Sequence, residues 1–352
     1  MNKLLDYTCK VRATDLHIAV GTPPMVRLNS RLTVVEGFSS LTPEDTRILA
    51  ESCINEDRRR TLEENGEVDF SFSRPGLGRF RANIFRQRGS ISMAIRMLPF
   101  NIPAFDELGL PPALKQITKK KSGLVLATGS TGSGKSTTLA CLIDIINSER
   151  RCHIITIEDP IEYLHRHKTG LVNQREVGWD TRSFASALRA ALREDPDVIL
   201  VGEMRDPETI DIALTAAETG HLVFSTLHTM GAAKTINRIF DAFPYDQQTQ
   251  VRAQLATVLE AVISQQLLPR EDGSGLILAS ELMLVNSAIR NLIREGKAHQ
   301  INTILQTSTQ EGMHIMDASL AELCNRKIIS YDDALLRSQD PQTFRQLCNR
   351  KW

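Results

Sequence analysis

The spacing of apolar and polar positions divides this chain into two patterns. Over roughly the first hundred residues it reads as a small α/β module. Leu4, Leu5 and Val11 mark a short opening helix. Residues 15–20 alternate, with Leu16, Ile18 and Val20 on one face and Asp15, His17 and Ala19 on the other. Residues 26–35 read as a hairpin turning at Asn29-Ser30. A helical stretch over 43–64 ends near Gly66. Three more strands follow at 68–73, 79–85 and 91–97, with Pro75-Gly76 turning the first into the second.

Residues 98–112 carry four prolines and little periodicity, which predicts a linker at 99–112 between a domain at 1–98 and another at 113–352. Beyond residue 113, strand and helix patterns alternate, as in a parallel sheet with crossover helices. Residues 124–127 form a buried strand in this reading. Residues 137–147 form a helix with Leu139, Leu142, Ile143 and Ile146 on one face, and 198–201 form a second buried strand. From about Tyr245 the pattern is predominantly helical, and no internal repeat or low-complexity tract is present.

Between the first of these strands and its helix lies Gly129-Ser130-Thr131-Gly132-Ser133-Gly134-Lys135-Ser136-Thr137, which fits G-x-x-x-x-G-K-[ST]. Glycines allow the backbone angles that turn successive N–H groups onto phosphate oxygens. Lys135 supplies a mobile positive charge for the β- and γ-phosphates, and the Ser136 hydroxyl is placed to ligate Mg²⁺. The segment predicts that ATP or a close relative binds here, with Mg²⁺.

Two later strands end in carboxylates. The apolar run after Cys152 stops at Glu158-Asp159, with Pro160 and Glu162 just beyond, and the run at 198–201 is followed by Gly202-Glu203. Ligands of open α/β sheets collect at the carboxyl ends of strands, so these acids are expected to face the nucleotide. Glu203 occupies the position of an acid that supports Mg²⁺ or orients the attacking water. Gly220-His221-Leu-Val-Phe-Ser-Thr-Leu-His228 flanks a third apolar strand with two histidines, which are expected to report on phosphate state from the sheet edge. Their spacing does not suit zinc.

Composition narrows the function classes. The chain has 352 residues, 41% hydrophobic and 24% charged, with a net charge of zero. That balance, with 5% aromatics, argues against a nucleic-acid motor, whose affinity would rest on basic grooves and stacking platforms. No apolar run approaches a membrane span, and Met1-Asn-Lys-Leu-Leu-Asp lacks the core of a secretion signal, so a cytoplasmic location is expected. The six cysteines form no C-x-x-C pair and read as reduced thiols.

Taken together, the phosphate loop at 129–137, the acidic box at 156–162, the strand ending in Gly-Glu at 197–203 and the histidine box at 221–228 resemble the bacterial secretion ATPases that power type II secretion and type IV pili. All four come in that family's order. Asp15-Leu-His17 resembles the family's N-terminal signature. The resemblance implies a PAS-like N-terminal domain, a RecA-like ATPase domain with a helical C-terminal region, and motion of the two domains about the linker.

The resemblance also implies site roles. Glu162 is the first choice for the water-activating carboxylate, with Glu158 second and Glu203 as the acid of the Gly-Glu strand. Lys135, His221 and His228 belong to the catalytic set. Arg81 and Arg96 match N-domain arginines that reach the phosphates, and Arg238 is a third candidate.

Ala288-Ile289-Arg290-Asn291-Leu292-Ile293-Arg294-Glu295-Gly296-Lys297 resembles the C-terminal motif of the pilus-retraction branch of the family. Read physically, Asn286 caps a helix and Gly296 ends it. Ile289, Leu292 and Ile293 form an apolar stripe, and Arg290, Arg294 and Lys297 a basic one, offered as a docking surface. The cysteine-free segment 271–275 stands where extension and secretion ATPases carry a tetracysteine zinc insertion. The expected partners are five further copies in a hexamer, an inner-membrane platform protein and the pilus machinery, without nucleic acid and without direct membrane insertion. A pilus-extension or type II secretion ATPase is the alternative. A regulatory subunit with little turnover of its own is a second one.

Overall fold

The computed structural model describes residues 1–28, 31–98 and 101–348. The chain divides into two compact units, Met1–Asn101 with Glu162–Leu164, and Ile102–Ile161 with His165–Trp352.

The first unit is PAS-like: one antiparallel sheet with helices beside it. Its six strands are β1 (Asp15–Ile18), β2 (Met25–Leu28), β3 (Arg31–Val34), β4 (Glu67–Arg74), β5 (Gly78–Gln87) and β6 (Ser90–Leu98), in the order β3-β2-β1-β6-β5-β4. Alternation decides which face is buried. In β1, Leu16 and Ile18 are fully enclosed, and in β5, Phe80, Ala82 and Ile84 are. Val20 lies past the end of β1 and is exposed, so the expected alternation stops at Ile18. The turn expected at Asn29-Ser30 lies outside the described residues.

The helical stretch expected over 43–64 is two helices, Pro43–Glu51 and Glu56–Asn65. Asn55 interrupts it by accepting from the Arg58 N–H at 3.1 Å, which makes it the N-cap of the second helix.

The second unit is RecA-like. Its seven strands are β7 (Gly123–Thr128), β8 (His153–Glu158), β9 (Leu171–Glu176), β10 (Val198–Val201), β11 (Leu222–Leu227), β12 (Leu259–Pro269) and β13 (Leu276–Leu284), in the order β13-β12-β7-β11-β10-β8-β9. All pair in parallel except the edge strand β13. Helices cover both faces, which is why β7, β10 and β11 are buried at every residue. Truncating Ile199 to alanine at the centre would cost about 2–5 kcal/mol.

Two of these strands sit inside the stretch that periodicity reads as helical. β12 follows helix Tyr245–Val258 without a break, and β13 is rich in leucine and also carries alanine, glutamate and methionine, all good helix formers. Burial between β7 and β13 overrides that propensity in β12. Beyond Ser287 the chain is helical, as the pattern indicates. In the proline-rich stretch, residues from Ile102 onward belong to the second unit. Phe105 and Leu110 are buried in the same core as Leu139 and Val125.

Candidate active site

The phosphate loop forms where β7 gives way to helix Lys135–Glu149. Gly129, Gly132 and Gly134 hold φ of +140°, +78° and +90°, a region that side chains disfavour. At Gly129 a Cβ would also run into the Gln265 carbonyl oxygen and the Ser133 side chain. Ser130, Thr131 and Gly132 form the exposed tip, and Ser136 and Thr137 lie half-buried in the first turn. No side chain caps this helix, so its first amides are left for an anion. Ser133 Oγ is buried without a hydrogen-bond partner among the described residues.

Lys135 is buried, and its Nζ donates to the carbonyls of Gly129 at 3.0 Å and Ser130 at 2.8 Å. The cation is therefore held over the loop that would carry the phosphates. Behind it, Gln265 Nε2 donates to Thr138 Oγ1 at 2.8 Å and pins the helix to β12.

Glu203 follows β10, two strands from β7. Its side chain is 13% exposed, and Oε2 forms an ion pair with Arg205, 2.7 Å from its Nε, and lies 3.5 Å from His228 Nε2. The two loops are sewn together by Thr226 Oγ1, which donates to the Gly202 carbonyl at 2.6 Å, and by the Met204 N–H, which donates to the Thr226 carbonyl at 3.3 Å.

The histidines of the 221–228 box part company. The parallel register sets Leu222 opposite Gly123 and Leu227 opposite Thr128. His228 is thus level with the phosphate loop, whereas His221 is level with the start of β7, about 20 Å away at 3.3 Å per strand residue. His221 Nδ1 lies 2.9 Å from the Ala216 carbonyl and 3.3 Å from Thr219 Oγ1, so it fastens the end of helix Pro207–Glu218 to β11. The expectation that both report phosphate state from one edge is corrected for His221, because strand length separates them.

Glu158 ends β8, three strands and about 14 Å from β7 across the sheet. Its Oε1 accepts from Thr156 Oγ1 at 2.6 Å and Gln174 Nε2 at 3.2 Å. Glu162 is half-buried between two anchors. The Ile161 N–H donates to buried Glu176 at 3.1 Å, and the His165 N–H donates to Gln174 Oε1 at 2.8 Å.

In the first unit, Arg81 and Arg96 stand opposite each other across β5 and β6. Arg81 Nη2 donates to Asp69 at 2.7 Å and Arg96 Nε to Asp15 at 2.9 Å. Burial pushes the Asp15 carboxyl upward, but hydrogen bonds from Thr14 and Arg96 outweigh it and hold the group below its ordinary range. Arg238 is exposed in the last turn of helix Ala232–Asp241.

The 288–297 motif forms helix Ser287–Arg294, capped by Asn286, which accepts from the Ile289 N–H at 3.0 Å; Ile289 and Ile293 are buried. Its basic stripe is largely engaged. Arg290 donates to the carbonyls of Ala256 at 2.8 Å and Thr257 at 2.7 Å, which satisfies the end of helix Tyr245–Val258, and to Glu260 Oε1 at 2.7 Å. The other Glu260 oxygen pairs with Lys120 at 2.8 Å. Arg294 donates to Asn291 Oδ1 at 3.0 Å, and Lys297 pairs with Glu295 at 2.8 Å. Arg290 is thus a fastener at the amino end of the sheet, and the outer surface of the motif is left to Ala288, Asn291 and Arg294 to Lys297.

Sequence reasoning missed Arg205 and Gln265. Arg205 was visible as a cation two residues past the acid. Gln265-Gln266, a polar pair inside an apolar run, was the mark of a buried strand with a task.

A phosphate loop after one parallel strand, an acid two strands away and a histidine on the strand between define a RecA-like P-loop nucleoside triphosphatase. The chain belongs to the Type II/IV secretion system protein family, which matches residues 46–275. It is 46% identical over 344 residues to the type IV pilus retractation ATPase PilT of Pseudomonas aeruginosa, covering 98% of this chain and 99% of that protein. It is 48% identical over 330 residues to a twitching motility protein of Neisseria gonorrhoeae, covering 94% and 88%. Among solved structures, the pilus retraction motor PilT with bound ADP superposes with a TM-score of 0.93 at 53% identity, covering 98% of each chain.

Proposed function

We propose that this chain is the ATP-hydrolysing motor that retracts a type IV pilus, working as a homohexamer at the inner face of the cytoplasmic membrane against a membrane platform protein. The observation that carries the reading is the similarity to PilT over 98% of this chain and 99% of that protein, which takes in both units. The 0.93 TM-score to an ADP-bound retraction motor supports it. No helix among the described residues is long and apolar enough to cross a membrane, which suits a peripheral motor.

In this reading the amides of residues 130–137 hold the phosphates and Lys135 swings from its carbonyls onto them. No three His, Cys, Asp or Glu side chains gather to hold a metal among the described residues. Half-buried Ser136, with Glu203 two strands away at the same carboxyl end of the sheet, suits a Mg²⁺ shared with phosphate oxygens, which is how that ion is commonly held. Bound there, Mg²⁺ would neutralise charge developing between the β- and γ-phosphates. Glu203 orients water, with His228 and Arg205 setting the direction of its carboxylate. Glu162 is the first choice for the base, with Glu158 second. Arg81, Arg96 and Arg238 are the candidate cations for the transferring phosphoryl group.

Lys135→Ala, introduced into the chromosome of the source organism, tests this directly. Hydrolysis should fall by roughly a hundredfold or more, and cells should carry abundant pili that no longer retract. Bald cells would mark an extension motor, and unchanged pili would assign the chain to another system.

A further inference from the structure

Helices Ala232–Asp241 and Met316–Asn325 both lack a side-chain cap from their own N-cap residue. Both are capped by one residue from a third element. Glu281, on β13 and 2% exposed, accepts the Ala232 N–H at 2.7 Å through Oε1 and the Met316 N–H at 3.3 Å through Oε2. Burial raises its carboxyl above the ordinary range, and the two amides offset that only in part. An acceptor shared between two helix N-termini suits the charge there.

The first of those helices begins four residues after His228. Gly231, at φ +94°, donates its N–H to Ser264 Oγ at 2.9 Å, and Ser264 stands opposite Glu281 in the β12–β13 register. The loop 228–231 is therefore fixed at one end by β11 and at the other by this Ser264–Glu281 pair. Beyond Met316, Asp317 accepts from the N–H groups of Gln339 at 2.8 Å and Asp340 at 3.0 Å. A run of hydrogen bonds thus leads from the loop behind Glu203 to the last helices of the chain.

We propose that Glu281 is a positioning residue for hydrolysis: it sets the loop that holds His228 against Glu203 and ties it to the C-terminal helices. This rests on the hydrolytic reading above. Glu281→Gln keeps the shape but sets an NH₂ group against one of the two amides, since only one carbonyl remains.

In the assembled protein, kcat should fall about tenfold, while the Kd for a fluorescent ATP analogue stays within about twofold of wild type. Combined with His228→Ala, the change should add little, because both act through one loop. A variant with wild-type kcat well below a lowered Tm, or effects that multiply with His228→Ala, would overturn the proposal. If Glu281→Gln does not fold, Ser264→Ala removes the neighbouring restraint and should show the same split, and wild-type kcat there would overturn the proposal equally. Absence of turnover in the wild-type protein would instead reject the hydrolytic reading itself.

Discussion

The two ends of the parallel sheet are built from similar residues and do different things. At the carboxyl end, charged and polar groups gather on the strand ends and the phosphate loop: Lys135 on loop carbonyls, Glu203 between Arg205 and His228, and Ser133 without a hydrogen-bond partner among the described residues. At the amino end, the same residue types close on one another. Arg290 ends a helix and pairs with Glu260, Lys120 takes the second oxygen of that carboxylate, and His221 fastens a helix to β11. At the amino end the ion pairs close on helix ends and hold the fold, whereas at the carboxyl end no side chain caps helix Lys135–Glu149 and its first amides are left for a ligand. The difference is one of saturation more than of composition.

Substitutions at the two ends should therefore separate activity from stability. The largest expected effect is at the open end. Glu203→Gln should lower kcat by about a hundredfold or more with nucleotide affinity retained, read as phosphate release beside analogue binding. A variant with tenth-normal kcat or better would remove Glu203 from the chemistry.

Arg290→Ala probes the closed end. It frees the Ala256 and Thr257 carbonyls and leaves Glu260 with Lys120 alone. The expected cost is about 1–2 kcal/mol of stability, visible as a lowered Tm, with kcat per folded chain near normal. An unchanged Tm would return Arg290 to the role of a docking residue.

An effect no larger is expected from acid. Burial lowers the His165 pKa from its ordinary value to about 4, and burial lowers that of His314 as well. Between about pH 6.5 and 4 the unfolded chain binds protons that the folded chain refuses, so stability falls as the pH drops. Denaturation at pH 7.5 and 5 should differ by about 1–2 kcal/mol from His165. His165→Gln should flatten that difference, and an unaltered slope would show that His165 is accessible to protons in the fold.

Legibility in the sequence followed locality. The phosphate loop was readable because its glycines, lysine and serine are contiguous and its geometry is set by its own φ angles. The antiparallel strands of the first unit were readable because one face is apolar. Strands β12 and β13 were not, because helix-forming residues become strand only when β7 offers β12 a partner and β12 offers one to β13. Arg290 read as a surface charge because a sequence pattern does not reveal which carbonyls lie within reach. Glu281 was invisible for the same reason: its two amides come from residues 49 and 35 positions away. The separation of His221 from His228 was within reach, since the six residues of β11 between them span about 20 Å.

Those two histidines give the most direct measurement. Single-turnover hydrolysis by His228→Ala and His221→Ala proteins, each assembled with ATP and Mg²⁺, should differ sharply. His228→Ala should be slowed about tenfold or more through loss of the contact to Glu203. His221→Ala should hydrolyse ATP at the wild-type rate with a Tm lower by about 2–4 °C. Equal slowing of both, with no change in Tm, would contradict the division of the sheet into a working end and a fastened one.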